Sequence, residues 1–370
     1  MKITDVTVTL FSWDNIPETH YRKGWAPIKG NVEMGLVAIL TDEGVTGHSF
    51  LGNSSQSAAT DAGQLISTLK PVLLGRDPGD IGALHSDMTT RGGFTFPMRC
   101  TGAIDVALWD LAGKRAGLPI HQLLGSYRQK APVYASFSLH PSPQAYVEDA
   151  LHWKSLGWKA YKVHPPADPQ EDIAVCRAVK EAVGNSMVLM LDSVWAYCYE
   201  DALRVGRAIE EMGYYWYEDP LAMDDIYGYA KLRQKLDIPI LATEANPGGL
   251  YPMAQFITAQ ATDMLRGDVA VKGGITPMMK IAHLAEAFRM KCEVHHGGNS
   301  LNNVANLHIT MAMPNCDYFE VLLPAHAQRY GLVHDIEVDR EGFVHAPMGP
   351  GLGYEIDFGL IKHKQTRVLK

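Results

Sequence analysis

Cysteine is scarce in this chain. Its 370 residues hold five (Cys100, Cys176, Cys198, Cys292 and Cys316), an odd number, scattered, with no Cys-x-x-Cys pair. That pattern excludes a disulfide-stapled scaffold and a cysteine-built zinc site, and it predicts buried thiols in a reducing compartment. Runs of lysine and arginine are also missing. The formal net charge is −8 and the pI is about 6.0, so neither nucleic acid nor an anionic membrane is a fitting partner. No apolar run approaches the ~20 residues that span a bilayer. The first residues, Met1-Lys-Ile-Thr-Asp-Val-Thr-Val8, alternate polar and apolar like a strand and do not read as a signal peptide. A cytoplasmic protein is expected. Low-complexity tracts and sequence repeats are absent too.

What the chain does have is apolar mass. Hydrophobic residues make up 46% of it, enough to bury large cores, and its length fits two domains or one barrel with an appendage. Three short apolar runs each end in a carboxylate: Met187-Val-Leu-Met-Leu-Asp192, Tyr214-Tyr-Trp-Tyr-Glu218 and Ile238-Pro-Ile-Leu-Ala-Thr-Glu244. The acids are 26 residues apart in both intervals. A strand, a helix and two loops take about that length, so the acids are expected to end three successive parallel strands on one rim. Converging carboxylates repel each other unless a cation sits between them. Hard oxygen ligands without cysteine or histidine point to Mg²⁺. Any one of these acids alone is as readily a strand-end group paired with lysine or arginine. The equal spacing of three favours the metal.

The rest of the chain arranges itself around those runs. Residues 2–11 and 32–40 alternate with period two, and the turn Thr41-Asp-Glu-Gly44 leads into Val45–Phe50, so an antiparallel meander is predicted. A polar loop, Thr19–Trp25, joins its first two strands, and a second, Gly52–Ser55, follows the third. His20, Tyr21, Arg22, Lys23 and Asn53 are candidates to meet an anionic, hydroxylated ligand, although surface loops are polar anyway. From Gln56 to Gly125 the pattern is helical. Its clearest helix, Thr101–Gly117, sets Ala103, Ile104, Ala107, Leu108, Leu111 and Ala112 on one face, with Asp105 and Asp110 read as structural or solvated rather than catalytic. From Ala131 onward, strands are predicted at Pro132–Phe137, Ala160–His164, Met187–Asp192, Tyr214–Glu218, Ile238–Glu244, Met264–Val269, Lys291–His295 and Tyr318–Leu322. Eight strands alternating with about seven helices predict a closed α/β barrel with its site at the strands' C-terminal ends. The tail, Gly342–Lys370, is expected to pack back on the N-terminal part.

Other reactive groups fall on the same rim. Lys162 and His164 are two apart on the second strand, so both are expected to face inward. Asp268 ends the sixth strand, His295-His296 the seventh, and Glu320 lies on the eighth. Asp268 could hold one nitrogen of His295 and leave the other poised for proton transfer. His296 points the opposite way if the strand is regular, which makes it the weaker candidate. Mg²⁺ flanked by bases suits removal of the proton beside a carboxylate, because the metal stabilises the enediolate as it forms. Lys162 and Glu320 would add a charge and a hydrogen bond to the same oxygens.

Together these residues resemble the enolase superfamily, and within it the mandelate racemase group, over nearly the whole chain. Gly102–Lys114 looks like the last helix of that family's capping domain, and Gly273-Gly-Ile-Thr276 like its sixth-strand loop. The resemblance implies a modified TIM barrel, (β/α)₇β, under an α+β capping domain that the C-terminal tail completes. The expected divisions are 1–125 for the cap, 126–325 for the barrel and 326–370 for the returning tail. It implies that Asp192, Glu218 and Glu244 hold Mg²⁺, that Asp268 and His295 form the group's dyad, and that Glu320 hydrogen-bonds the substrate carboxylate. The family commonly carries Lys-x-Lys on the second strand. This chain has Lys162-x-His164, a histidine in the place of a base, which a nearby cation would keep neutral. Gly297-Gly-Asn-Ser-Leu-Asn-Asn303 is a second departure, either a surface loop or a polar insertion able to reach a polyhydroxylated substrate. The expected activity is a Mg²⁺-dependent dehydratase of an aldonate or aldarate, giving a 2-keto-3-deoxy acid. A racemase or epimerase of a 2-hydroxy acid is the alternative, and a non-catalytic sugar-acid-binding relative is a third. A cycloisomerase fits less well, since relatives with that chemistry carry a lysine where this chain has Asp268. The partner expected is a small-molecule carboxylate, in a homo-oligomer of a number the sequence does not fix.

Overall fold

The computed structural model describes residues 1–92, 97–246 and 248–370; within the predicted helical stretch Gln56–Gly125, residues 93–96 lie outside the described ones. Strand β1 (Ile3–Thr19) is longer than its first run of alternation predicts. Val6, Val8 and Leu10 face the cap core. Phe11, Trp13 and Ile16 join the barrel core instead. Register shifts between Trp13 and Ile16 and between Ile16 and Thr19 let the strand continue past its regular pairing. It thereby delivers the polar loop to the barrel mouth. Strands β2 (Ile28–Thr41) and β3 (Thr46–Leu51) pair antiparallel to complete the predicted meander.

The cap helices cover this sheet. Helix α1 (Ala59–Gln64) passes through a π turn at Leu65–Leu69 into α2 (Lys70–Leu73), followed by α3 (Ile81–Gly92) and α4 (Met98–Ala116). Helix α4 buries Ala103, Ile104, Ala107, Leu108 and Leu111, the apolar stripe read from the sequence. Gly117 stops it in the left-handed conformation, φ 67°, and the Leu118 N–H returns to the Gly113 carbonyl at 3.0 Å.

A short α5 (Ile120–Leu123) leads into the barrel. Its strands are β4 (Lys130–Phe137), β5 (Ala160–Val163), β6 (Val188–Asp192), β7 (Tyr217–Glu218), β8 (Ile240–Ala242), β9 (Met264–Gly267), β10 (Lys291–Val294) and β11 (Phe319–Leu323). They pair parallel in sequence order, and β11 closes on β4. Between them run α6 (Pro143–Ser155), α7 (Pro169–Val183), α8 (Tyr199–Glu211), α9 (Ile226–Arg233), α10 (Tyr251–Thr258), α11 (Ile275–Ala287) and α12 (Ser300–Ala312). This is the (β/α)₇β arrangement expected. Several strands are shorter than their apolar runs. Pro239 has no N–H to give, so β8 starts at Ile240, and Glu244 stands two residues past its end. Inside the barrel, Tyr134, Ala160, Met190, Trp216, Leu241 and Met264 form an apolar floor.

The tail divides its contacts. Strand β12 (Phe343–His345) pairs antiparallel with β4 of the barrel. After α13 (Phe358–Lys364), β13 (Gln365–Leu369) adds a fourth strand to the cap sheet beside β1. The cap is pinned to the barrel through α4. Asp105 accepts the Thr276 N–H at the start of α11 (2.9 Å), and Trp109 Nε1 donates to the Thr276 hydroxyl at 3.0 Å. Asp110 accepts the N–H groups of His48 and Leu352. Both aspartates are structural, as their place on the helix indicated.

Candidate active site

Above the apolar floor the barrel changes character. The next inward residues on β5, β7, β9 and β11 are Lys162, Glu218, Arg266 and Glu320, all buried. Lys162 Nζ lies 3.2 Å from Asp192, 3.1 Å from Glu218 and 2.8 Å from Glu320. Arg266 Nε lies 2.5 Å from Glu218 and 3.2 Å from Glu244, and another of its guanidinium nitrogens is 2.6 Å from Glu320. Glu218 and Glu320 therefore each bridge the two cations. Arg266 was not among the residues singled out from the sequence. The signal was there: it lies two residues before Asp268 on one strand, so it shares the inward face.

The three evenly spaced acids do converge. One oxygen from each of Asp192, Glu218 and Glu244 lies within 4.8 Å of the others. The turns that hold them use left-handed backbone: Val194 and Trp195 after Asp192 (φ 48° and 57°), Asp219 after Glu218 (41°) and Thr243 before Glu244 (87°). Non-glycine residues adopt such angles at a cost, and they cluster where side chains must be aimed. Burial drives Glu218 up to about 8, with Asp192 and Glu244 adding to it against the pull of Arg266 and Lys162. Its Oε1 is buried and lacks a well-aligned hydrogen-bond donor, even beside the Arg266 guanidinium. An all-oxygen set with this repulsion fits a hard divalent cation.

Two histidines flank the acids. His164 Nδ1 lies 2.6 Å from the Phe137 carbonyl, so its Nδ1–H donates there and Nε2 faces the cavity, 3.1 Å from Asp192. His295 Nδ1 donates to Asp268 at 2.5 Å, and its Nε2 faces Glu244 at 3.4 Å. Asp268 is itself oriented by the N–H groups of Ala270 and Val271, at 2.6 and 2.9 Å. Burial would lower His295, but Glu244 and Asp268 outweigh it and raise it to about 9. His296 also lines the cavity, because β10 ends at Val294 and the strand alternation stops there. Burial pushes it down to about 3.

Glu320 also lines the cavity. Its Oε2 accepts from Arg266 and from the His296 N–H at 2.8 Å. Burial opposes its ionisation, yet Arg266 and Lys162 hold it well below the usual carboxylate range. It bridges the two cations.

A cavity of about 350 Å³ opens over these groups, roofed by the cap. Of the loop residues proposed from sequence, Tyr21 and Asn53 line it and His20, Arg22 and Lys23 do not. Tyr21 packs edge-on against His164 at 5.4 Å and accepts from Gln328 Nε2 at 2.8 Å. Arg22 donates to the carbonyls of Val194 and Trp195, at 3.1 and 3.2 Å. His20 pairs with Glu18 and Lys23 with Glu171. Ionic and backbone partners nearer than the cavity claim those three. Trp25 and Trp195, stacked at 6.1 Å, form an apolar wall, while Thr19, Ser54, Ser55 and Gln328 supply a polar one. Of the polar stretch 297–303, Gly298 lines the cavity, while its asparagines bond within the loop. Asn299 caps α12 by accepting from Asn302, Asn302 donates to the Gly297 carbonyl, and Asn303 accepts the Gly297 N–H.

Comparison with known proteins agrees with this geometry. Residues 28–125 match the mandelate racemase/muconate lactonizing enzyme N-terminal domain, and residues 145–359 match the enolase C-terminal domain-like family. An arabinonate dehydratase from Saccharolobus solfataricus is 31% identical over 92% of this chain and 94% of its own length. An L-talarate/galactarate dehydratase from Salmonella typhimurium is 31% identical over 77% of this chain and 71% of its own length. The crystal structure of a D-glucarate dehydratase from Agrobacterium tumefaciens complexed with magnesium is 34% identical, with a TM-score of 0.89 over 99% of this chain and 100% of that one. Other relatives are racemases and cycloisomerases. Among the described residues no helix is long and apolar enough to cross a membrane. The chain is an enzyme of the enolase superfamily and belongs to its mandelate racemase/muconate lactonizing enzyme group.

Proposed function

We propose that the enzyme is a Mg²⁺-dependent dehydratase of a sugar acid, an aldonate or aldarate, and that its product is a 2-keto-3-deoxy acid. The observation that carries this reading is the placement of two histidine Nε2 atoms, each with its far nitrogen tied down, on either flank of the converging acids. Mg²⁺ held by Asp192, Glu218 and Glu244 would supply positive charge to the substrate carboxylate as the enediolate develops. Lys162 adds a fixed cation beside it. His164 Nε2 takes the α-proton. His295, its Nδ1 tied to Asp268, gives its Nε2 proton to the departing β-hydroxyl. Water leaves, and the enol relaxes to the 2-keto acid. The polar wall of Thr19, Asn53, Ser54, Ser55 and Gln328 suits a hydroxylated chain, and the names of the related dehydratases agree with it.

Incubating the Mg²⁺-loaded protein with a panel of aldonic and aldaric acids tests this. At least one is expected to yield a 2-keto acid, and no product from any of them would remove the dehydratase reading. The same pair of histidines also supports a racemase or epimerase. Solvent deuterium entering recovered substrate with no loss of water would favour that alternative.

A further inference from the structure

We propose that Arg266 is a positioning residue that holds the site's acids in one frame and whose charge keeps the binding of the divalent ion weak. This role rests on the reading of Asp192, Glu218 and Glu244 as a metal site. Arg266 is fully buried. Its fork spans three carboxylates and the Tyr134 hydroxyl, which accepts from it at 3.1 Å. A planar guanidinium fixes several acceptors at once, as a lysine ammonium cannot. Lys162 contacts Glu218 and Glu320 from the other side, so the four side chains alternate in charge around a closed ring.

The ring has two consequences. Glu320 owes its orientation, and through it Lys162 does too, to the guanidinium. Glu218 and Glu244, two of the three acids that would share an ion, are already in contact with a cation. A divalent ion arriving there meets like charge at close range in a buried setting, where repulsion is little screened. Binding is therefore weaker than three free carboxylates would give.

The sign of the effect separates this role from a merely structural one, because damage to a metal site loosens the metal. Mg²⁺ binding is measured by calorimetry on the wild type, R266M and R266K, beside thermal melts and turnover. R266M is expected to bind Mg²⁺ at least tenfold more tightly, to melt lower without Mg²⁺, and to lose turnover as Glu320 and Lys162 drift. R266K keeps the charge and loses the fork, so its Mg²⁺ affinity is expected to stay within about threefold of wild type while turnover falls. An R266M affinity that is unchanged or weaker overturns the proposal. Should R266M fail to fold, R266K decides: a tenfold or greater loss of Mg²⁺ affinity there means Arg266 only shapes the acids, and the proposal falls. A wild type that binds no divalent ion would instead overturn the metal reading itself, and this role with it.

Discussion

His164 and His295 differ in what grips the nitrogen turned away from the cavity. A backbone carbonyl holds His164, and a carboxylate holds His295. The carbonyl fixes a tautomer without adding charge, whereas Asp268 stabilises the imidazolium. The two variants should therefore fail differently. His164→Asn is expected to lose both α-hydrogen exchange and dehydration. His295→Asn is expected to keep exchange while dehydration falls by roughly 10²–10⁴-fold. Proton NMR in D₂O beside a 2-keto acid assay reads both, and equal loss of both activities in both variants would contradict the division. The period of two along a strand is enough to put Lys162 and His164 on one inward face. The same rule would have found Arg266. Pattern tells which face a side chain shares but not which partner it chooses, and so His20, Lys23 and Arg22 of the cap loop went to Glu18, Glu171 and two carbonyls.

Among the elements, α4 sets how the cap sits over the rim. Gly102 on that helix allows close approach: a Cβ there would lie 2.4 Å from the Val269 carbonyl oxygen, next to Asp268. Backbone cannot yield as a flexible side chain would. Gly102→Ala is expected to cost about 1–3 kcal/mol of stability and to lower turnover, read by denaturant melts and kcat. A melt unchanged from wild type would show that the cap floats more freely than this contact implies. The order of strands and helices was legible, because the barrel strands are short, largely apolar runs and the helices between them carry apolar stripes. Strand ends were less so, since Pro239 and the left-handed rim residues break pairing before the apolar runs end. The extent of β1 was hidden by its register shifts. The split of the tail between β4 and β1 was hidden because short strands carry no address for their partners.

Across the whole molecule, the barrel interior stores ionisable groups that tie stability to pH. Glu293 is the clearest away from the acid triad: burial, with Asp317 adding to it, raises it from 4.5 to about 7. The folded state then holds that proton more tightly than the unfolded chain. Its contribution is full below about pH 4.5 and is lost as pH rises through about 7. Glu293→Gln removes the titration. At pH 8 the variant is expected to gain on the order of 1–3 kcal/mol over wild type, with the difference shrinking towards pH 4; urea melts at the two pH values check it, and a constant difference would contradict it. The same barrel gathers the acid triad, two histidines and two buried cations at one mouth, and the proposed chemistry depends on their acting together on the carbon beside a carboxylate. The most direct measurement is hydrogen exchange at that carbon, followed by NMR in D₂O with the panel of sugar acids, with Mg²⁺ and with a chelator. The α-hydrogen of at least one acid is expected to exchange or be lost only when Mg²⁺ is present. Intact α-hydrogens throughout the panel with Mg²⁺ bound, or exchange indifferent to the chelator, would contradict it.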